Sequence, residues 1–248
     1  MLNDRENYLL ETAELSAPRM IKFKPVVKTQ EASGDREVVA SELQESLFPD
    51  RFSSRALSRP VSAESLFAVL GSVGVPHSGS GRVAIPTSGG LNEISLMAIV
   101  NRVPQIEAGT YSVAGQGSIL RPQRQGDPIR TVVNDNVALR LGLQPNEQAS
   151  AVLLLFADFT AISHCYTSAV LVSSLWDAGA LLLGLQVAAC RSQLSSCIVG
   201  TTLNSALASY LPRPITHVGN VGIIALGGSN AEDLSNRCHR NVKAGLSY

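Results

Sequence analysis

Residues 151–190, AVLLLFADFTAISHCYTSAVLVSSLWDAGALLLGLQVAAC, carry two charged side chains in forty positions, Asp158 and Asp177. A segment so poor in charge must be covered on most sides, by its own fold or by a second subunit. Its first part, AVLLLFADF, is a continuous apolar run of strand length and reads as a strand buried on both faces. Its second part, from residue 166 to 190, reads as one long apolar helix. Ala169–Cys190 is long enough to cross a bilayer. However, Asp177 lies near its middle with Ser173 and Ser174 close by, and no basic flank precedes it. A central carboxylate is costly in hydrocarbon, so the expectation is a buried helix of a soluble protein without a membrane span.

The neighbouring segments fit around that pair. Downstream, LSSCIVGT reads as a short strand or loop and SALASYL as a short helix. HVGNVGIIALGG reads as a last strand before a polar tail over residues 231–248. Upstream, Asn146–Ser150 is a turn and Gly115–Asn136 is polar and irregular. Thr110–Val113 is a short strand, and ISLMAIVNRV is a β-branched, mostly apolar strand. VPHSGSGRVAIPTSGGLNE, rich in glycine and holding two prolines, is a loop. Ser62 and Glu64 open a helix whose apolar positions are Leu66, Val69, Leu70 and Val73. Helices before strands, followed by alternation, predict an α+β domain around one sheet with the long helix packed on it.

Composition bounds the function classes. The chain has 248 residues, of which 45% are apolar, and twenty Lys/Arg offset twenty Asp/Glu. That suits one large domain or two small ones and excludes global disorder. Zero net charge argues against a nucleic-acid binder, which needs a basic face, although a local basic patch stays open. Residues 1–60 hold nine basic and ten acidic side chains, so residues 1–50 read as a solvated arm or surface helices. MLNDRENYLLETAEL shows no basic start followed by an apolar run, so no secretory signal is expected. Cys165, Cys190, Cys197 and Cys238 form no CxxC pair, and His77, His164, His217 and His239 give no metal-ligand spacing. A reducing cytoplasm and no metal site are expected.

Two segments carry candidate chemistry. In Arg51–Ser62 (RFSSRALSRPVS), Arg51, Ser53 and Arg55 put guanidinium forks and a hydroxyl within five residues, a pattern that cradles an anion. A solvated charged turn before a helix is the other reading. In Pro86-Thr87-Ser88-Gly89-Gly90-Leu91, paired glycines let the backbone approach a flat or anionic ligand, and the proline stiffens the entry. Ordinary turns use Gly-Gly as well.

Taken together these segments resemble a known family. Arg51-x-Ser53-x-Arg55 before Pro60-Val61 and a helix resembles the phosphate-binding opening of the nitroreductase-fold flavoproteins. Pro86–Leu91, leading into an apolar strand with Asn101-Arg102-Val103, resembles the P-S-x-G-G-L stretch of their SagB-type branch. Ala108–Val113, Asp177-Ala178-Gly179 in the long helix, Leu194–Gly200 and Gly227-Gly228 are similar to later stretches of that branch in the same order. The resemblance covers about residues 50–228. It implies a central, mainly antiparallel sheet flanked by helices in an intertwined homodimer, with FMN at the subunit interface. The domain is then residues 51–230, with Arg51, Ser53, Arg55, Pro86, Thr87, Ser88, Gly89, Gly90, Leu91 and Gly200 at the cofactor.

The same resemblance implies an activity. SagB-type enzymes dehydrogenate thiazoline or oxazoline rings of a peptide to thiazoles or oxazoles, beside a cyclodehydratase partner that makes the rings. The charged first 50 residues would then dock a partner or the substrate leader. An NAD(P)H-fed nitro- or quinone reductase, and a non-catalytic flavin-fold subunit of a peptide-modifying complex, are the alternatives. The family base is a Lys-Tyr pair about 14 residues before the helix glycine. Counting back from Gly179, the tyrosine is Tyr166, but Cys165 stands at the lysine position with His164 before it. Tyrosine is a weak base at neutral pH without a cation beside it. Three accounts follow: His164 stands in for the cation, the base comes from elsewhere, or the chemistry has been lost and the fold kept. Tyr166 also reads as a packed core tyrosine with a bonded hydroxyl, and His164 as a capping or surface residue. Asp177 is expected to meet a cross-subunit donor or a ligand group, and Trp176 to lie in the core. Arg237 and Arg240 read as part of a solvated tail or as a completion of the phosphate site.

Overall fold

The structure is a computed structural model and describes residues 53–74, 85–114, 117, 119–123, 126–144, 147–166, 168–210 and 216–229. The elements in chain order are α1 (Ala63–Val73), a 3-10 turn (Ser88–Gly90), β1 (Ile94–Val100), β2 (Gly109–Ala114) and β3 (Ile119–Pro122). They continue with α2 (Gly126–Leu141), β4 (Ala151–Asp158), α3 (Phe159–Ser163), α4 (Val170–Arg191), β5 (Leu194–Ile198), α5 (Asn204–Leu207) and β6 (Val218–Gly228). The segments expected at residues 1–50 and 231–248, together with Arg51, His77, Arg237, Cys238, His239 and Arg240, lie outside the described residues.

The six strands form one sheet in the order β3-β2-β1-β4-β6-β5. Every neighbouring pair is antiparallel. Central β4 explains the three layers. Its side chains alternate between faces because the strand period is two. Ala151, Leu153, Leu155 and Ala157 join the core beneath α1 and α4. Val152, Leu154 and Phe156 join a second core under α2 and α5. Both faces are covered, which is why the run shows no polar alternation.

Local chemistry sets the ends of the elements. Ser62 caps α1 by accepting the Ser65 N–H at 3.1 Å, and Gly74 closes it at φ 52° in the left-handed region. Asp158 at the end of β4 accepts the N–H groups of Thr160 and Ala161 at 3.0 and 3.3 Å and so starts α3. α4 packs on α1, β5 and β6. Val170, Ala178, Leu181, Leu182, Leu185, Ala188 and Ala189 face that core, so half of an apolar helix of membrane-spanning length belongs to the interior.

Three expectations are corrected. Residues 126–141 are helical, not irregular. The segment is mostly polar, but Ile129, Val133 and Val137, four residues apart, form one stripe on the second core. Trp176 is 72% exposed, not in the core. The helix expected to start at Tyr166 begins at Val170, so Tyr166 precedes it in an irregular segment.

Candidate functional site

The Pro86–Leu91 segment folds as a tight turn ahead of β1. The Gly90 N–H donates to the Thr87 carbonyl and the Leu91 N–H to the Ser88 carbonyl, both at 3.2 Å. Gly89 and Gly90 take φ of 59° and 69°, values that a β-carbon makes costly. Both glycines are exposed, while Leu91 packs against the main core. The turn therefore offers a bare backbone surface and anchors itself through its last residue.

Two side chains from distant parts of the chain meet that turn. Asp177 of α4 accepts the Ser88 N–H at 2.6 Å and the Ser88 hydroxyl at 3.0 Å. Tyr166 also approaches the turn, at Gly89. A β-carbon on Gly89 would stand 3.1 Å from the Tyr166 hydroxyl oxygen. Only a glycine leaves the tyrosine in place there. Tyr166 is half-buried, its ring against the main core, and its N–H donates to the Ile162 carbonyl at 2.9 Å. Cys165 and His164 are exposed on the same turn out of α3.

Asp177, expected to meet a cross-subunit donor or a ligand group, accepts both bonds from Ser88 of its own chain. Behind it lies a residue that sequence reasoning missed. Glu93, between the turn and β1, is 5% exposed, and neither carboxylate oxygen has a hydrogen-bond partner of ordinary geometry. Burial pushes its pKa up to about 7, and the adjacent Asp177 adds to the rise, while a backbone hydrogen bond opposes it. A single Glu between a glycine loop and an apolar strand was the available signal.

The arginine-serine segment occupies a second place. The Ser54 N–H donates to the Ser196 carbonyl of β5 at 2.9 Å. Gln186 of α4, also unforeseen, reaches Ser53 Oγ at 3.2 Å through Nε2. Ser53 and Arg55 are exposed. Arg55 lies near Cys197, where burial raises the thiol pKa and the guanidinium opposes the rise. Gly200, exposed and with nothing within 4 Å of a built β-carbon, follows β5 on the same side. Asp177 and Gln186 are nine residues apart, about 14 Å along the helix and half a turn around it. One chain therefore holds the glycine turn and the arginine-serine segment on opposite flanks of α4. Val172, Leu175, Trp176 and Leu183 of the same helix are exposed apolar side chains.

Solved structures share this architecture. A protein of Anabaena variabilis assigned as a nitroreductase superposes with a TM-score of 0.56 at 22% identity, covering 73% of this chain. A nitroreductase-assigned protein of Ralstonia eutropha gives 0.56 at 16% identity, over 79% of this chain and 88% of that one. The chain has the nitroreductase fold. It spans 37% of the Anabaena protein. The same nitroreductase fold occurs in the E. coli microcin synthetase complex McbBCD with truncated pro-MccB17 bound, at a TM-score of 0.60, 15% identity, and 91% and 92% coverage of the two chains. No family model matches the chain, and no curated protein does.

Proposed function

We propose that the protein is an FMN-dependent oxidoreductase that dehydrogenates thiazoline or oxazoline rings in a peptide, working as a homodimer beside a ring-forming cyclodehydratase. The observation that carries this reading is the Ser88–Gly90 turn, bonded to Asp177 at Ser88 and met by Tyr166 at Gly89. The residues suit a flavin mononucleotide. Exposed Arg55 and Ser53, with Arg51 preceding them, offer charged and hydroxyl donors to a phosphate. Gly89 and Gly90 give a flat ring system a wall without side chains, and Gly200 leaves open space. Likeness to a chain of a peptide-modifying complex over nearly the whole length of both supports a peptide substrate.

A second copy of the chain is part of this reading: a flavin that takes the glycine turn from one copy and the arginine-serine segment from the other would lie at their interface. The exposed side chains of Val172, Leu175, Trp176 and Leu183 are the surface that such a pairing covers.

When bound, the flavin supplies the hydride acceptor. Aromatising an azoline removes one hydride and one proton from neighbouring ring carbons, two hydrogens in all. The chain's own task is to hold the ring in reach and to take up the ring proton at Tyr166 Oη, which does so only as the phenolate and ends as the neutral hydroxyl. Cys165 and His164 stand beside Tyr166 in the sequence, in place of the family's cation.

A spectrum of the purified protein tests the cofactor: a yellow protein with oxidised-flavin absorbance is expected. A chain that stays colourless after reconstitution with FMN overturns the reading in favour of a structural subunit. Bleaching by an azoline peptide, with loss of two hydrogens per ring, is expected, and bleaching by NADPH alone assigns a reductase instead. Arg55→Ala is expected to weaken FMN retention by about tenfold or more, the loss of one charge-assisted hydrogen bond. Equal flavin occupancy after dialysis rules out Arg55 as the phosphate ligand.

A further inference from the structure

We infer that Gln186 sets the polarity of the Ser53 hydroxyl, turning its proton outward for an anion, and that the arginine-serine segment thereby prefers a phosphorylated flavin to riboflavin. Two buried polar side chains of α4 each leave the helix for a serine of a candidate segment. Asp177, 8% exposed, accepts the Ser88 hydroxyl proton at 3.0 Å. Gln186, 1% exposed, donates through Nε2 to Ser53 Oγ at 3.2 Å. The two bonds have opposite sense. A carboxylate accepts and draws the Ser88 proton inward. An amide N–H donates, so it occupies a lone pair of Ser53 Oγ and leaves the hydroxyl proton to point elsewhere. Ser174, a buried hydroxyl of the same helix, stays at home and donates to the Val170 carbonyl at 2.9 Å.

The surroundings of Ser53 give that polarity a use. The Ser54 N–H is tied to the Ser196 carbonyl of β5 at 2.9 Å. The Ser54 hydroxyl accepts the Ala56 N–H at 3.2 Å, and Leu57 anchors the segment in the second core. Ser54 therefore uses its hydroxyl locally. Ser53 is exposed, yet its oxygen is held by a buried amide 133 positions away. An exposed hydroxyl otherwise rotates to suit its surroundings. Holding it in advance lowers the cost of ordering it when a ligand binds. A phosphate monoester offers only acceptors at neutral pH and matches an outward proton, with exposed Arg55 supplying charge nearby. Riboflavin ends in a hydroxyl that donates as well as accepts, so it gains little from a serine fixed as a donor. Gln186 is a positioning residue, because it acts on the ligand only through Ser53. The inference rests on the flavin reading for what carries the phosphate.

Equilibrium dialysis of the full chain, freed of flavin, against FMN and against riboflavin reads the preference as a ratio of two affinities. A change that only loosens the fold weakens both ligands alike and leaves the ratio. Gln186→Met and Gln186→Leu, uncharged and of comparable size, are each expected to lower the FMN-to-riboflavin ratio by about tenfold, the effect of one hydrogen bond to a charged group. Ser53→Ala is expected to lower it equally. Adding either Gln186 change to Ser53→Ala is expected to lower it no further. An unchanged ratio in the Gln186 variants overturns the inference, and so does a further fall in the double variants.

Inorganic phosphate is the second probe, titrated by NMR on the Ser53 amide. Its affinity is expected to fall by about tenfold in Gln186→Met. A protein that takes phosphate with this dependence on Gln186 but takes no flavin defeats the flavin reading and leaves the inference. A protein that binds both flavins with a ratio indifferent to Gln186 does the reverse, and one that binds neither flavin nor phosphate defeats both.

Discussion

Turnover of a Tyr166→Phe protein falls by about a hundredfold or more with its flavin still bound, the range a general acid–base group contributes. Phe keeps the ring, which is the part packed against the main core, and keeps the N–H bond to Ile162. It removes only the hydroxyl that lies over Gly89. A purely structural Tyr166 would show a shift in melting temperature and little change in kcat. Measuring kcat for azoline oxidation alongside flavin absorbance separates the two. Full activity in Tyr166→Phe, with loss in a His164→Ala or Cys165→Ala protein, would move the base to the neighbouring exposed side chains.

Gly227→Ala carries the largest expected loss of stability. Gly227 pairs with Ser195 at the end of β6. A β-carbon there would lie 2.3 Å from the Leu57 carbonyl oxygen and 2.4 Å from the Leu57 carbonyl carbon and Cα. These are backbone atoms, so no rotamer change relieves the contact. The 53–61 segment must move, and it is held by Ser150 donating its N–H to Leu57 at 3.1 Å and by Gly228 donating to Arg59 at 2.9 Å. Overpacking of this kind costs about 3 kcal/mol, or about 6–12 °C of melting temperature for a chain of this size. The same shift displaces Ser53 and Arg55, so flavin retention is expected to fall with stability. Gly71→Ala is the control. Gly71 is exposed within α1 and has nothing within 4 Å of a built β-carbon, so a gain of about 0.5–1 kcal/mol is expected there. Thermal denaturation of both variants checks the pair.

Much of the fold was legible because its signals are local. Ser62 and Glu64 ahead of Leu66, Val69, Leu70 and Val73 mark α1, since a cap and a 3.6-residue period are readable within one segment. The unbroken run at 151–157 marks a strand covered on both faces, and β4 is that strand. α2 escaped because its buried stripe is thin and set among polar residues, so average composition hid a periodicity carried by Ile129, Val133 and Val137. Trp176 was misplaced for a related reason. Hydrophobicity tells that a side chain avoids water, but not whether its own chain covers it.

The candidate site divides along the same line. Tyr166, Ser88, Gly89, Gly90, Ser53, Arg55 and Asp177 each stood out by residue type and local pattern. Their grouping did not. Ser88 and Asp177 are 89 positions apart, and Ser53 and Gln186 are 133 apart. Composition and periodicity determined a two-faced strand, a long apolar helix with one carboxylate near its centre, and an α+β class. Only the packed chain decided that Asp177 closes on Ser88, that Glu93 is buried behind it, and that turn and arginine-serine segment flank one helix. Strand and helix preferences act over a few residues, whereas contacts between carboxylate, hydroxyl and backbone across the sequence exist only once the sheet has set the distance between them.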